Sequence, residues 1–209
     1  MNNTLRILLI TLALIVVLFI GAITFVAGIY NGLVRTSQAV DASWAQVQNV
    51  YQRRADLIPN LVQTVAGSAN FEKSTMIAVT EARASVGKVN VSPTQAPTDP
   101  AQLAAFQQAQ GQLGSAISRL LVVSENYPDL KSSANFRDLQ AQLEGTENRI
   151  AVERERFNVA VQIYNIKVRS FPVVILAGMM GYAPKPYFTA AAGASTAPTV
   201  QFNFGAEKK

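Results

Sequence analysis

The side chains that could do chemistry in this chain are few: Glu72, Glu147 and Glu153 among the acids, Arg83 and Arg154 among the bases, and Arg53, Arg54 and Asp56 just ahead of Pro59. Cysteine and histidine are both missing from the 209 residues. That excludes a disulfide framework, a thiolate or imidazole metal site, and a nucleophile relayed through histidine. Any chemistry must rest on carboxylates, Lys, Arg, Tyr or hydroxyls, and a carboxylate pair working as general acid and base is the candidate to weigh. A glutamate-rich bundle interior can hold two metals, but that arrangement uses Glu-x-x-His pairs, and Arg83 and Arg154 would repel a cation. The sequence has no glycine-rich phosphate loop after a strand, no nucleophile elbow and no metal-ligand spacing, so no cofactor is expected.

Spacing assigns these residues to faces. Glu72 falls in step with Ile58, Val65, Val79 and Val86, and Arg83 with Val62, Ala69 and Met76, so both are expected to face inwards. Glu147, Arg154, Val161 and Val168 form a row spaced by seven. The structural reading of Glu72, Arg83, Glu147, Glu153 and Arg154 is cross-helix pairing that sets register. At Arg53, Arg54 and Asp56 a docking corner for a partner competes with a capped helix start. A cap alone contributes ~1 kcal/mol and is sufficient reason for Asp56. Asn158 and Asn165 read as interhelical hydrogen-bonding groups, and Trp44 as a core anchor.

The elements that must position these residues begin with an apolar run. Between Arg6 and Arg35 lie 28 uncharged residues, a helix of ~42 Å against a hydrocarbon core of ~30 Å. Ile7 to Ile29 reads as a transmembrane helix, with Tyr30 and Asn31 at its boundary. A cleaved signal peptide is the alternative, but its apolar region is ~7–15 residues and ends at a small-residue site, which Phe25-Val26-Ala27-Gly28 does not supply. The net charge of +5 becomes 16 basic against 13 acidic side chains, or +3, once residues 1–35 are set aside. In a nearly neutral body with mixed charges, the basic pI is weak evidence for nucleic acid binding, and none is expected. The positive-inside rule leans towards an inner N-terminus and an outer body.

Beyond the membrane the pattern is helical. Val40, Trp44, Val47 and Tyr51 make one helix face, which is expected to break at Asp56-Leu57-Ile58-Pro59, where Asp56 caps a new helix running to about Gly87. Lys88 to Pro100, with three prolines, reads as a loop. Leu103, Phe106, Gln110, Leu113, Ile117 and Leu120 mark a third helix, stopped at Tyr127-Pro128. The last helix starts near Ser132 to Asn135 and carries Phe136, Leu143, Ile150, Phe157, Tyr164 and Phe171 seven apart. Its companion row, Leu139, Thr146, Glu153, Ala160 and Lys167, is too polar for a two-stranded zipper and suits a helix among several neighbours.

After Phe171-Pro172, the run Val173 to Tyr182 is too short to span a bilayer. It is expected to pack on the bundle, with the membrane interface or a subunit contact as alternatives. The tail is expected to be flexible from residue 183 to 209, and Thr199 to Phe204 alternates with period two, as a strand added to a partner would.

The blocks Arg53-Arg54-Ala55-Asp56-Leu57-Ile58-Pro59-Asn60-Leu61-Val62, Phe71-Glu72 and Ala82-Arg83-Ala84 resemble the LemA family of bacterial membrane proteins. So do Tyr127-Pro128-Asp129-Leu130-Lys131, Leu143-Glu144-Gly145-Thr146-Glu147-Asn148-Arg149-Ile150, Phe157-Asn158, Tyr164-Asn165 and Phe171-Pro172. The blocks run in order from about Tyr30 to Phe188. The resemblance implies an N-terminal membrane anchor and an antiparallel helical bundle, and supplies no activity. Some relatives look like lipoproteins starting just before the Tyr-Asn pair, which implies a body outside the cytoplasm; this chain lacks that cysteine.

The expectation is therefore an all-α protein: a transmembrane helix followed by an antiparallel bundle of three to four long helices. Residues 1–30 are the anchor, 31–182 the bundle and 183–209 the tail. The expected partners are the lipid bilayer through residues 7–29 and either a second copy or another envelope protein, with no nucleic acid. The expected role is a non-enzymatic scaffold or adaptor of the bacterial inner membrane, with membrane shaping or lipid-surface binding as the alternative.

Overall fold

Apolar residues at helical spacing, broken by only a few proline-rich stretches, produce six helices and no strand among the described residues of the computed structural model, 3–68 and 71–190. They are α1 (Asn3–Ala66), α2 (Lys73–Gly87), α3 (Pro100–Ser124), α4 (Pro128–Ser132), α5 (Ala134–Arg169) and α6 (Val173–Met179). Local chemistry explains several ends. Asp99 caps α3 by accepting from Ala101 N at 2.8 Å, with Pro100 in the first turn, where it has no helical bond to lose. Ser133 caps α5 by accepting from Phe136 N at 3.2 Å.

The first helix corrects the expected break. α1 passes through Asp56-Leu57-Ile58-Pro59 without interruption for 64 residues, about 96 Å at 1.5 Å per residue. Pro59 has no N–H for the carbonyl of Ala55, four residues earlier. That carbonyl accepts from Arg83 Nε of α2 at 3.0 Å, so the bond missing inside α1 is replaced from outside it. Asp56 is no cap; it is exposed and accepts from Gln52 Nε2 at 2.7 Å.

Residues 4–28 of α1 are exposed throughout, and packing begins at Ile29 and Leu33. From there α1 and α5 pack antiparallel along the body, while α2 packs on α3 and on the far end of α1. Two cores result. The membrane-distal core joins Leu57, Ile58, Leu61 and Val65 of α1 to Val79 of α2, Leu113, Ile117 and Leu120 of α3, and Phe136, Leu139 and Leu143 of α5. It is a four-helix arrangement. The proximal core joins Leu33, Val40, Trp44, Val47 and Tyr51 to Leu103 and Phe106 of α3 and to Ile150, Phe157, Val161, Tyr164 and Val168 of α5. Its remaining wall comes from outside the long helices: Ala96 of the 88–99 loop, Ala177 of α6 and Phe188 of the C-terminal segment.

The aromatic row of α5 holds in part. Phe136, Leu143, Ile150, Phe157 and Tyr164 are buried, whereas Phe171, beyond the helix end, is 82% exposed. The expected flexible tail is corrected at its start, because Lys185 and Phe188 are buried and residues 183–190 lie along the bundle. The alternating Thr199 to Phe204 pattern lies outside the described residues.

Candidate functional site

The charged and amide residues gather where α1, α3 and α5 pass one another and along the face of α5 that receives the C-terminal segment. At the waist between the two cores, Arg54 is 3% exposed. Its Nη1 donates to Glu147 Oε1, and its Nη2 to both Gln110 Oε1 and the Gln110 carbonyl, the last at 3.1 Å. Its guanidinium carbon lies 5.1 Å from the centre of the Tyr51 ring. The Glu147 side chain is half exposed, so the ion pair runs from the interior to the surface. Burial pushes the Tyr51 phenol above its ordinary pKa, with the positive charges of Arg154 and Arg54 acting against that shift. Tyr51 therefore remains a neutral hydroxyl at pH 7. Arg54, Tyr51, Gln110, Glu147 and Arg154 line an open cavity of about 650 Å³.

Below the waist, α5 clamps residues 183–190. Asn165 Nδ2 donates to the Lys185 carbonyl at 2.9 Å, and Lys185 N donates to Asn165 Oδ1 at 2.8 Å. Asn158 repeats the pattern with Phe188, at 3.0 and 2.9 Å. The geometry matches because seven helical residues rise ~10.5 Å and three extended residues advance ~10 Å. Each amide thus acts as one rung of a sheet edge. Tyr164 Oη donates to the Ala183 carbonyl at 2.9 Å, and Arg154 Nη2 and Gln107 Nε2 each donate to the Thr189 carbonyl at 3.0 Å. Arg154 also stacks over Phe188, 4.8 Å from its ring centre.

α1 holds the same strap from its other side. Lys185 Nζ donates to Asp41 Oδ1 at 2.9 Å, and the Ala96 N–H of the 88–99 loop donates to the same oxygen at 3.0 Å. Trp44 Nε1 donates to the Ser92 carbonyl at 2.8 Å, while its ring stacks on Phe188 at 6.0 Å between centres. One turn of α1 therefore ties both non-helical segments together.

The candidate residues divide accordingly. Arg54, Glu147 and Arg154 meet around the waist cavity, and Asn158 and Asn165 hold the strap in place of another helix. Arg53 is exposed on α1. Glu72 and Arg83, expected inside, are both exposed; Glu72 accepts from Ser74 Oγ just before α2, and Arg83 serves the Ala55 carbonyl. Cross-helix pairing holds for Glu147 alone, since Glu153 takes Arg156 within α5 at 2.7 Å. The strap displaced the expected partners: Arg154 finds a carbonyl there and not an acid.

Sequence reasoning missed Asp41, Lys185 and Phe188. Asp41 is the first acid in the chain and lies three residues before Trp44, and Lys185 is the only charge between Arg169 and Glu207, set between Pro184 and Pro186. Those isolated charges were a usable signal. Phe188 had none.

An antiparallel helical bundle whose first helix continues into an exposed apolar segment long enough to cross a bilayer is the architecture of a membrane-associated protein. The profile of the LemA family matches residues 43–202, and the chain belongs to that family. It is similar to magnetosome protein MamQ 2 of Paramagnetospirillum magneticum, 28% identical across 84% of this chain and 71% of that protein. Magnetosome protein MamQ of Magnetospirillum gryphiswaldense is 27% identical across 85% and 71%. Protein LemA of Metamycoplasma hominis is 25% identical across 74% and 67%.

Proposed function

We propose that this protein is a membrane-anchored scaffold of the bacterial envelope that acts through protein contacts, self-association foremost, with its body on the outer side of the inner membrane. The observation that carries the reading is an outward apolar stripe on α5. Val152, Val159, Ile163 and Ile166 are each 45–59% exposed and fall within an arc of about 60°. A stripe of this width at near-heptad spacing suits a partner helix, and a second copy supplies one. Two further features support a scaffold over an enzyme. The candidate polar residues Arg54, Glu147, Asn158 and Asn165 are engaged in intramolecular bonds. The relatives named for the magnetosome and for LemA come from different bacteria and align with 74–85% of this chain, as a scaffold reused in several settings would.

Because the chain lacks cysteine, one introduced thiol reports on one place. Ile163→Cys should give a covalent dimer with a short bismaleimide in membranes, and Val122→Cys, exposed on α3, should not. A strictly monomeric protein in mild detergent, with no adduct at Ile163 or Ile166 in cells, would remove this reading.

A further inference from the structure

We propose that the segment Phe171–Met179 is a second membrane contact, seated in the interfacial layer of the leaflet through which α1 leaves the bilayer. The inference rests on α1 being the anchor, and it adds a surface that the apolar run of α1 does not contain.

The geometry follows from the antiparallel packing. Val168 near the end of α5 lies in the same core as Ile29 and Leu33, where the body begins on α1, whereas Phe136 near the start of α5 lies with Leu61 and Val65. The chain leaving α5 at Arg169 therefore stands at the end of the body facing the anchor. There it turns through 98° into α6. A helix at right angles to α5, and so to the antiparallel α1 beside it, lies across the end of the bundle, in the plane of a membrane that α1 crosses upright. The inner side of α6 is accounted for, since Ala177 is buried and Val173, Leu176 and Met180 pack on the proximal core. The outer side is not: Phe171 is 82%, Val174 45%, Ile175 58% and Met179 79% exposed.

The level also fits. A hydrocarbon core of ~30 Å takes ~20 helical residues, so a span starting at Ile7 is complete by about Val26. Ile29, the first residue the body covers, then lies in the interfacial layer, and α6 packs on the core that contains it. Three apolar side chains of α6 with Phe171 just ahead of it, all within nine residues, presented at that depth and facing the bilayer, match the burial of ~5–10 Å found for interfacial helices. The charges around the segment are basic: Lys167 and Arg169 precede it on α5, and the end of the Lys167 side chain lies against Gly32, whose missing Cβ leaves room for it. Basic side chains beside an apolar surface at this level are what a boundary with anionic lipid favours. The occupant is thus the lipid surface, with no need for a protein groove.

The test uses the full chain in nanodiscs of phosphatidylcholine and phosphatidylglycerol, loaded at one copy per disc. Nitroxides are placed through Phe19→Cys in the apolar run, Phe171→Cys, Val174→Cys, Ile175→Cys and Met179→Cys, and Val122→Cys on the distal half. Each replaced side chain is exposed, and unchanged thermal unfolding checks each variant. Collisions with oxygen, which partitions into lipid, and with a water-soluble nickel chelate are then compared. Labels at 171, 174, 175 and 179 should be open to oxygen and shielded from nickel, at a shallower depth than the label at 19, while 122 shows the reverse. Labels at 175 and 179 open to nickel while 19 is shielded would overturn the seat and leave the anchor standing. Nickel access at 19 as well would overturn the anchor with it. Shielding at 175 and 179 from both agents, or shielding that appears only when copies share a disc, would identify a protein contact and also overturn the proposal.

Discussion

The two halves of the body solve the same packing problem differently. The distal half closes its core with four helices and mostly aliphatic side chains, and needs few polar contacts to do so. In the proximal half α2 no longer contributes to the core, and two irregular segments take its place. Irregular backbone cannot pair its own N–H and C=O groups, so the helices must supply partners. Asp41, Trp44, Asn158, Tyr164 and Asn165 do that. Among the described residues, the side chains that bond the backbone of a distant segment thus concentrate where regular structure stops, with Arg54 at the border, whereas the distal half buries only the small hydroxyls of Thr75, Ser124 and Thr146. A polar residue on an inner face of such a bundle is therefore first a candidate for closing a wall.

The comparison can be broken in several places. Trp44→Ala removes the ring on which both irregular segments rest and should cost about 3–5 kcal/mol. Hydrogen exchange should rise in residues 88–99 and 182–190 and stay low around Leu61 and Leu113. Equal loss in both halves would show that they do not differ in this way. Asn165→Ala leaves the buried N–H and C=O of Lys185 without partners, for about 2–4 kcal/mol in denaturant unfolding. A cost below that of Asn158→Ala would contradict the strap geometry, since the Lys185 contact is the more buried.

At the waist, Glu147→Gln removes the charge facing Arg54 and should cost about 2 kcal/mol, reduced from the fully buried case because Glu147 is half exposed. Glu72→Gln, on the surface, should change stability by less than about 0.5 kcal/mol. If both variants abolished a cellular phenotype at unchanged stability, a catalytic carboxylate pair would be the better account. In the distal half, Arg83→Ala should cost about 1 kcal/mol, and little or nothing in a Pro59→Ala background, where an N–H returns to the Ala55 carbonyl. An undiminished cost in that background would mean that Arg83 acts through something other than this carbonyl.

Most of the helical frame was readable from spacing alone. Five of the six residues in the α5 row are buried, and Ser133 begins α5 within the Ser132 to Asn135 stretch read as its start. Those features depend on neighbours within a turn or two. Pro59 misled because the group that compensates for it, Arg83, is 28 residues from Ala55. The start of the tail misled because a segment rich in proline and small residues looks like a linker until two asparagines are found to hold it. Arg54 was a candidate for the wrong reason: it does not flank a helix start but is buried against Glu147, 93 residues away.

What the sequence determined by itself is what local chemistry determines: an apolar run long enough to cross a bilayer, a helical body, and the exclusion of cysteine and histidine chemistry. What only the tertiary structure decided is which polar side chains face each other and which way the last apolar helix faces. A helix has the same period whatever packs on it, so its pattern names a buried face but not the partner. The partner depends on the rise of one element matching that of another, as seven residues of α5 match three of the strap.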